Sequence, residues 1–365
     1  MRPIDIPLVV AGVFCVLAPM DAAIRTFVLP RGVPVSFSRL VFRSVRMFFN
    51  FLTRRANNYE TRDRIMALYA PIGLLVLPTV FLLSIFLGFA CFFYAWSEVH
   101  WGEAFVESGS SLFTLGFARP AHLGMNFVAF TEASIGLGLV ALLIAYLPTT
   151  YNSFSRREVA VTGLAVRAGT PPTAWELLER AHRTGFLDQL DDTWELWETW
   201  FQELSETHTS LGVLAFFRSP NPHRSWVTAA GAVLDAASLR YALIDLPWSA
   251  PPALCIRSGY LALQEIAGFY NIEYDPDPKP DDPISIARDE FDQVYLRLAS
   301  AGVPVRTDRD KAWRDYRGWR VNYDRVLTSI AGLVMAPYAP WSSDRSSRYQ
   351  APRLHARRAR PEGPR

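Results

Sequence analysis

Residues Ile65 to Trp96 read IMALYAPIGLLVLPTVFLLSIFLGFACFFYAW and contain no charged side chain. A helix needs about 20 apolar residues to cross the hydrocarbon core of a bilayer. No buried helix of a water-soluble domain needs a run this long. Pro71 and Pro78 fall in its first half, and a proline kink is tolerated in a membrane helix. Tyr94 and Trp96 mark one end, as aromatic residues do at a membrane interface. This stretch sets the class: a membrane protein with helical spans.

A second run covers Phe127 to Leu147, with Glu132 its one charge, near the start. Pro148 and the polar stretch Thr149 to Ser155 predict its end, and Arg156 and Arg157 follow. On the N-terminal side, Ile4 to Leu29 is apolar but interrupted by Asp21 and Arg25. Four residues apart, these two can pair on one helical face. The basic start is Arg2 alone, with Asp5 close behind, so residues 1–30 are expected to be a retained membrane helix, not a cleaved secretory signal.

The flanks orient the spans. Arg31, Arg39, Arg43, Arg46, Arg54, Arg55, Arg62 and Arg64 fill residues 31–64, and Arg156, Arg157 and Arg167 follow the last span. Between the second and third spans lie Glu98, Glu103 and Glu107, with Arg119 the only arginine. The positive-inside rule puts both arginine-rich regions in the cytoplasm. The N-terminus and residues 97–126 are then outside, in a multi-pass protein of the plasma membrane. Within the 31–64 linker, Phe37 to Phe51 intersperses arginine with Leu40, Val41, Val45, Met47 and Phe48. Two readings fit: an interfacial helix with those side chains toward lipid and Arg39, Arg43 and Arg46 toward water, or a basic tether held by the membrane surface potential.

Composition agrees with one fatty region joined to one ordinary soluble region: 50% of the 365 residues are hydrophobic, yet 20% are charged. The net charge of +2 gives no ground for a nucleic-acid partner. The cysteines, Cys15, Cys91 and Cys255, are far apart and form no CxxC pair, which argues against a disulfide framework or a zinc site. No nucleophile–base pair or metal motif points to an enzyme, and no resident metal or other cofactor is expected.

The segment between the second and third spans is not an ordinary loop. Trp101 to Phe113 predicts a short helix, with Ala104, Phe105, Leu112 and Phe113 apolar and Ser108 to Ser111 small. Thr114-Leu115-Gly116-Phe117-Ala118 follows, then Arg119-Pro120. The order span, short helix, Thr-Leu-Gly-Phe, span resembles the pore module of the potassium-channel superfamily, of the bacterial two-span pore-loop type, over residues 65–158. There the short helix points its C-terminus at a central cavity, and four strands turn their carbonyls inward to replace a cation's hydration shell. The resemblance implies that 101–119 forms pore helix and filter, between spans 65–96 and 127–147. Thr114, Leu115, Gly116 and Phe117 would hold the first four filter positions. Threonine adds a hydroxyl ligand, glycine permits backbone angles a Cβ forbids, and the aromatic packs outward to brace the strand. Gly136 or Gly138 would be an inner-helix hinge. Glu132 would either brace the filter from behind or sit at the interface. One strand per chain implies a homotetramer, with K+ or another monovalent cation as the permeant ion.

The pattern departs from the family at its second glycine, here Ala118, and at the acidic position after it, here Arg119. Alanine at a positive φ costs about 1 kcal/mol per subunit, and arginine at the mouth repels cations. Three expectations stay open: a weakly selective pore, one that conducts only in some state, and a vestigial module in a membrane-anchored interaction or signalling protein.

From Pro171 onward amphipathic helices dominate. Thr173 with Glu176 reads as a capping box, Ala174 to His182 follows, and Gly185 stops it. Further helices are expected at Leu187–Thr207, Ser225–Leu243, Ala253–Tyr270, Ser285–Ala301 and Arg309–Met335, giving an all-α cytoplasmic domain over 171–340. It has no GxGxxG motif, so no nucleotide site is expected and the regulating signal is unnamed. The acidic run Asp188, Asp191, Asp192, Glu195, Glu198, Glu203 and Glu206 reads as a solvated helix face, or as a site for Ca2+ or basic partners. Trp313 to Arg325, dense in arginine and aromatics, reads as internal packing, a contact to another subunit, or an anion site. Residues 341–365, with Arg353, Arg357, Arg358, Arg360 and Arg365, read as a disordered basic tail.

Overall fold

Alternating apolar and polar positions at helical spacing leave the chain little else to form but helices. The computed structural model describes residues 5–29, 36–54, 58–97 and 99–346, and the described residues form helices and turns with no strand. The chain divides into two units: Met1–Arg156 with Thr207–Arg218, and Arg157–Glu206 with Ser219–Arg365.

In the first unit, α1 (Asp5–Ala23) ends in a π turn over Ile24–Val28. Arg25 Nε donates to Asp21 Oδ1 at 2.8 Å, the pairing that their spacing allowed. α2 (Ser36–Thr53), α3 (Tyr59–Ala67), α4 (Tyr69–Ser97), α5 (Trp101–Leu112) and α6 (Leu123–Ala168) follow. Three helical stretches are long and apolar enough to cross a membrane: Asp5–Val28, Tyr59–Ser97 and Leu123–Ala168. α4 is the hub, flanked by α1, α2 and α5. Gly12 and Gly88 let α1 and α4 touch backbone to backbone: a Cβ on either would stand 2.8 Å from the other's carbonyl oxygen. Ser84 Oγ donates to the Cys15 carbonyl at 2.8 Å across the same seam.

The structure corrects several boundaries. The stretch read as one span from Ile65 lies within the membrane-length helical stretch Tyr59–Ser97, with a single turn residue, Leu68, between α3 and α4, and Asn58 caps its start by accepting from the Thr61 amide. α6 does not end at Pro148 but runs through it to Ala168. Proline removes one amide donor and leaves the rest of the ladder in place. The hydroxyls of Thr149 and Thr150 turn back onto the Ala145 and Tyr146 carbonyls instead of competing for the helix. On α2, Val41 and Phe49 are buried while Leu40, Met47, Phe48 and Phe51 stay exposed, and the Arg46 guanidinium lies 5.2 Å above the Phe216 ring instead of facing water. Arg31, Arg55, Glu98 and the tail arginines lie outside the described residues.

The second unit contains the end of α6, α7 (Ala174–Arg183), most of α8 (Asp191–Ser210), α9 (Trp226–Ala242), α10 (Pro251–Phe269), α11 (Arg288–Ser300), α12 (Arg309–Arg320) and α13 (Asp324–Val334). The Thr173 hydroxyl accepts from the Glu176 amide at 3.4 Å, and Gly185 takes the left-handed conformation (φ +68). Leu187–Gln189 is a 3-10 turn and not the first turn of α8. Every residue of α9 is buried. Its run of Ala229, Ala230, Gly231 and Ala232 lets α7, α10, α12 and α13 close around it.

The helix expected over Arg309–Met335 is two helices. α12 and α13 are separated by a turn over 321–323, where the Asn322 side-chain amide donates to the Gly318 and Trp319 carbonyls. Nor does the ordered chain stop at 340. Trp341 and Ser342 are buried, and Arg345 pairs with Glu290 and Asp344. Residues 347–365 lie outside the described residues.

Candidate functional site

α5 is anchored before it delivers anything. At its start the Glu103 carboxylate accepts from the His100 amide at 3.3 Å. Trp101 stacks on Tyr94 of α4 with centroids 4.2 Å apart, and Phe105 stacks on Phe86 at 5.6 Å. Ala104, Ser108, Ser110 and Leu112 are buried along its inner face.

The chain leaves α5 through a tight turn. Thr114 (φ 53) and Gly116 (φ 73) are left-handed. For threonine that conformation is strained, so the turn is held from outside itself. The holder is Ser110. Its carbonyl accepts from the Leu115 amide at 2.8 Å and from the Gly116 amide at 3.5 Å. Its hydroxyl sits 3.0 Å from both the amide and the carbonyl of Ala118. Those amides are thereby occupied, while the carbonyls of Thr114, Leu115, Gly116 and Phe117 accept no hydrogen bond from the described residues. Ala118 is not left-handed. The backbone cost expected for alanine there does not arise; the positive φ falls on Thr114 instead.

Leu115 and Phe117 are 60% and 69% exposed. The bracing contact expected of Phe117 is therefore not made within one chain. Arg119 is also exposed. Behind the turn, Glu132 of α6 is wholly buried and lies 2.5 Å from the Ser108 hydroxyl, so it does not sit at a surface. A Cβ on Gly136 would stand 2.4 Å from the Leu112 carbonyl oxygen, whereas Gly138 has nothing within 4 Å. α6 is continuous through both glycines. Gly136 is a close-approach position for the end of α5, and only Gly138 is unconstrained by packing.

Sequence reading missed Ser108 and Ser110 as functional positions and counted them only as small residues. The usable signal was two hydroxyls on the inner face of a twelve-residue helix that is otherwise apolar there. Within the Trp313–Arg325 segment, Tyr316, Arg320 and Tyr323 pack internally. Arg320 is fully buried, bidentate to Asp235 at 2.7 and 2.8 Å, and bonded to Asp324 and the Trp341 carbonyl. Burial alone would lower its pKa, and the carboxylates of Asp235 and Asp324 hold it well above the ordinary value instead. The Tyr316 and Tyr323 hydroxyls also reach Asp235, and burial first, then that carboxylate, push their pKa values well up. Arg320 is wholly enclosed and already paired with two carboxylates, so it is closed to an outside anion. No protein-family model, curated protein or solved structure matches the chain.

Proposed function

We propose that the chain is a channel-like membrane protein whose Thr114–Phe117 segments, four copies around an axis, form a pathway for a monovalent cation such as K+. The reading rests on a single observation. Between two apolar, membrane-length helices, a short helix hands on to a turn with four consecutive unbonded carbonyls. Backbone acceptors left unmet at membrane depth cost several kcal/mol each, and a cation stripped of water is a partner they can meet. Exposed Leu115 and Phe117 suit neighbours in a ring. On this reading residues 97–126 are outside, the second unit is cytoplasmic and gates the pathway through α6, and the membrane is the cell's own.

The test is cation flux into liposomes carrying the purified protein, with Gly116→Asp as a blocked control. Potassium flux that vanishes in the variant supports the pathway; no flux from a protein that is not tetrameric sinks it. A second reading, a membrane-anchored interaction protein whose module no longer conducts, is favoured by Arg119. That guanidinium is exposed one residue past the turn, where it repels incoming cations.

A further inference from the structure

The Ser108 hydroxyl lies 2.9 Å from the Phe86 carbonyl oxygen and 2.5 Å from Glu132 Oε1. Both contacts are hydrogen-bond distances, and both partners are oxygens. A serine hydroxyl carries one proton. The Phe86 carbonyl can only accept. If Glu132 were ionised it too could only accept, and one of the two close oxygen pairs would have no proton between them. Both contacts are satisfied only when Glu132 brings a proton of its own.

The surroundings point the same way. Glu132 is wholly buried, and its Oε2 has no hydrogen-bond partner among the described residues. An ionised carboxylate left so would carry an uncompensated charge in an apolar interior. Among the described residues no cation pairs with it, and Arg119 and His122, in the connection from α5 to α6, are exposed. α5 carries Glu103 and Glu107 and no base; α4 carries no charged residue, its titratable groups being Tyr69, Cys91 and Tyr94; α6 has no other charge before Arg156.

We propose that Glu132 is a neutral carboxylic acid that positions α5: it donates to the Ser108 hydroxyl, which donates in turn to the Phe86 carbonyl. The relay joins α6, α5 and α4 in one chain. It fixes α5 two residues before Ser110, the residue that holds the Thr114–Ala118 turn. It stands on these contacts and not on conduction, so a protein that carries no ions leaves it intact.

The experiment is infrared spectroscopy of the full-length protein in lipid at pH 7. The wild-type minus Glu132→Gln difference spectrum is expected to contain one protonated-carboxyl stretch that moves on deuteration. The glutamine amide can still donate to Ser108, so that variant keeps the wild-type melting temperature, while Glu132→Ala lowers it. Should Glu132→Gln fail to fold, Ser108→Ala serves instead: it keeps the acid, removes its acceptor and shifts the band. A wild-type spectrum at pH 7 without that band, or a band indifferent to Ser108→Ala, overturns the proposal.

Discussion

A methyl group placed on Gly136 would stand 2.4 Å from a backbone oxygen at the end of α5, and one placed on Gly138 would touch nothing. Two glycines only two residues apart, and so on different sides of α6, are therefore opposite in kind. Gly136→Ala must push α5 away from α6, at the 1–3 kcal/mol typical of overpacking. Gly138→Ala should be neutral or stabilising by up to about 1 kcal/mol, the helix preference of alanine over glycine. Thermal melts of the two variants in one detergent check this, and equal losses would contradict it. In the second unit the decisive residue is Asp235. Asp235→Ala strips buried Arg320 of its bidentate partner and the Tyr316 hydroxyl of its acceptor, and leaves the Tyr323 hydroxyl with Ser238 alone. Removing one partner of a buried pair costs about 3–5 kcal/mol, and the melting curve should show a loss of that order. Sequence could show that Asp235 and Arg320 exist on helices; it could not show that they meet across 85 residues of chain.

At the scale of elements, α9 sets the terms for its neighbours because it has no exposed side. α10 reaches it through Gly259, where a Cβ would stand 2.5 Å from Leu234 Cδ2 and 3.0 Å from the Phe201 ring. Gly259→Leu should cost 1–3 kcal/mol or more through overpacking, read as a lower denaturation midpoint, while Gly268→Ala, with nothing within 4 Å, should not. The helices themselves were legible because hydrophobic period and caps are local: Thr173, Gly185 and the charge-free run before Trp96 each mark an element without reference to anything distant. The ends of α6 and α12 were not. Pro148 reads as a stop because proline lacks an amide donor, yet a helix loses only one bond there. The break between α12 and α13 falls at Asn322, whose amide turns back onto the Gly318 and Trp319 carbonyls, and no glycine or proline between Arg320 and Asp324 announces it. The candidate turn at Thr114–Ala118 was visible as a pattern of residue types. Its support by Ser110 and Glu132 was not, since a hydroxyl on a short helix looks the same whether it faces lipid, water or another helix.

Taken whole, the molecule joins a unit built on membrane-length apolar helices to a second unit, which should respond to alkali in a way that its buried acids dictate. Cys255 is fully buried, and burial pushes its thiol well above its ordinary 9.0. Tyr316 and Tyr323 lie well above 10.0 for the same reason. A group whose folded pKa is raised holds its proton in the native state after the unfolded chain has lost it. Between the two values the native state binds more protons, so stability falls as pH rises. The contribution is complete below pH 9, begins to fail for Cys255 above the unfolded thiol's 9.0, and fails for the two tyrosines above 10.0. Each group removes about 1.4 kcal/mol per pH unit inside its window. In melts of the full chain in detergent, the second unit's own contribution should be level from pH 7 to about 9 and then drop, with a steeper slope beyond 10. In Cys255→Ala the first part of the drop should vanish while the steeper part remains, because the alanine has no proton for the unfolded chain to lose. A curve that falls equally in both proteins from pH 9 would mean that the thiol does not govern that window.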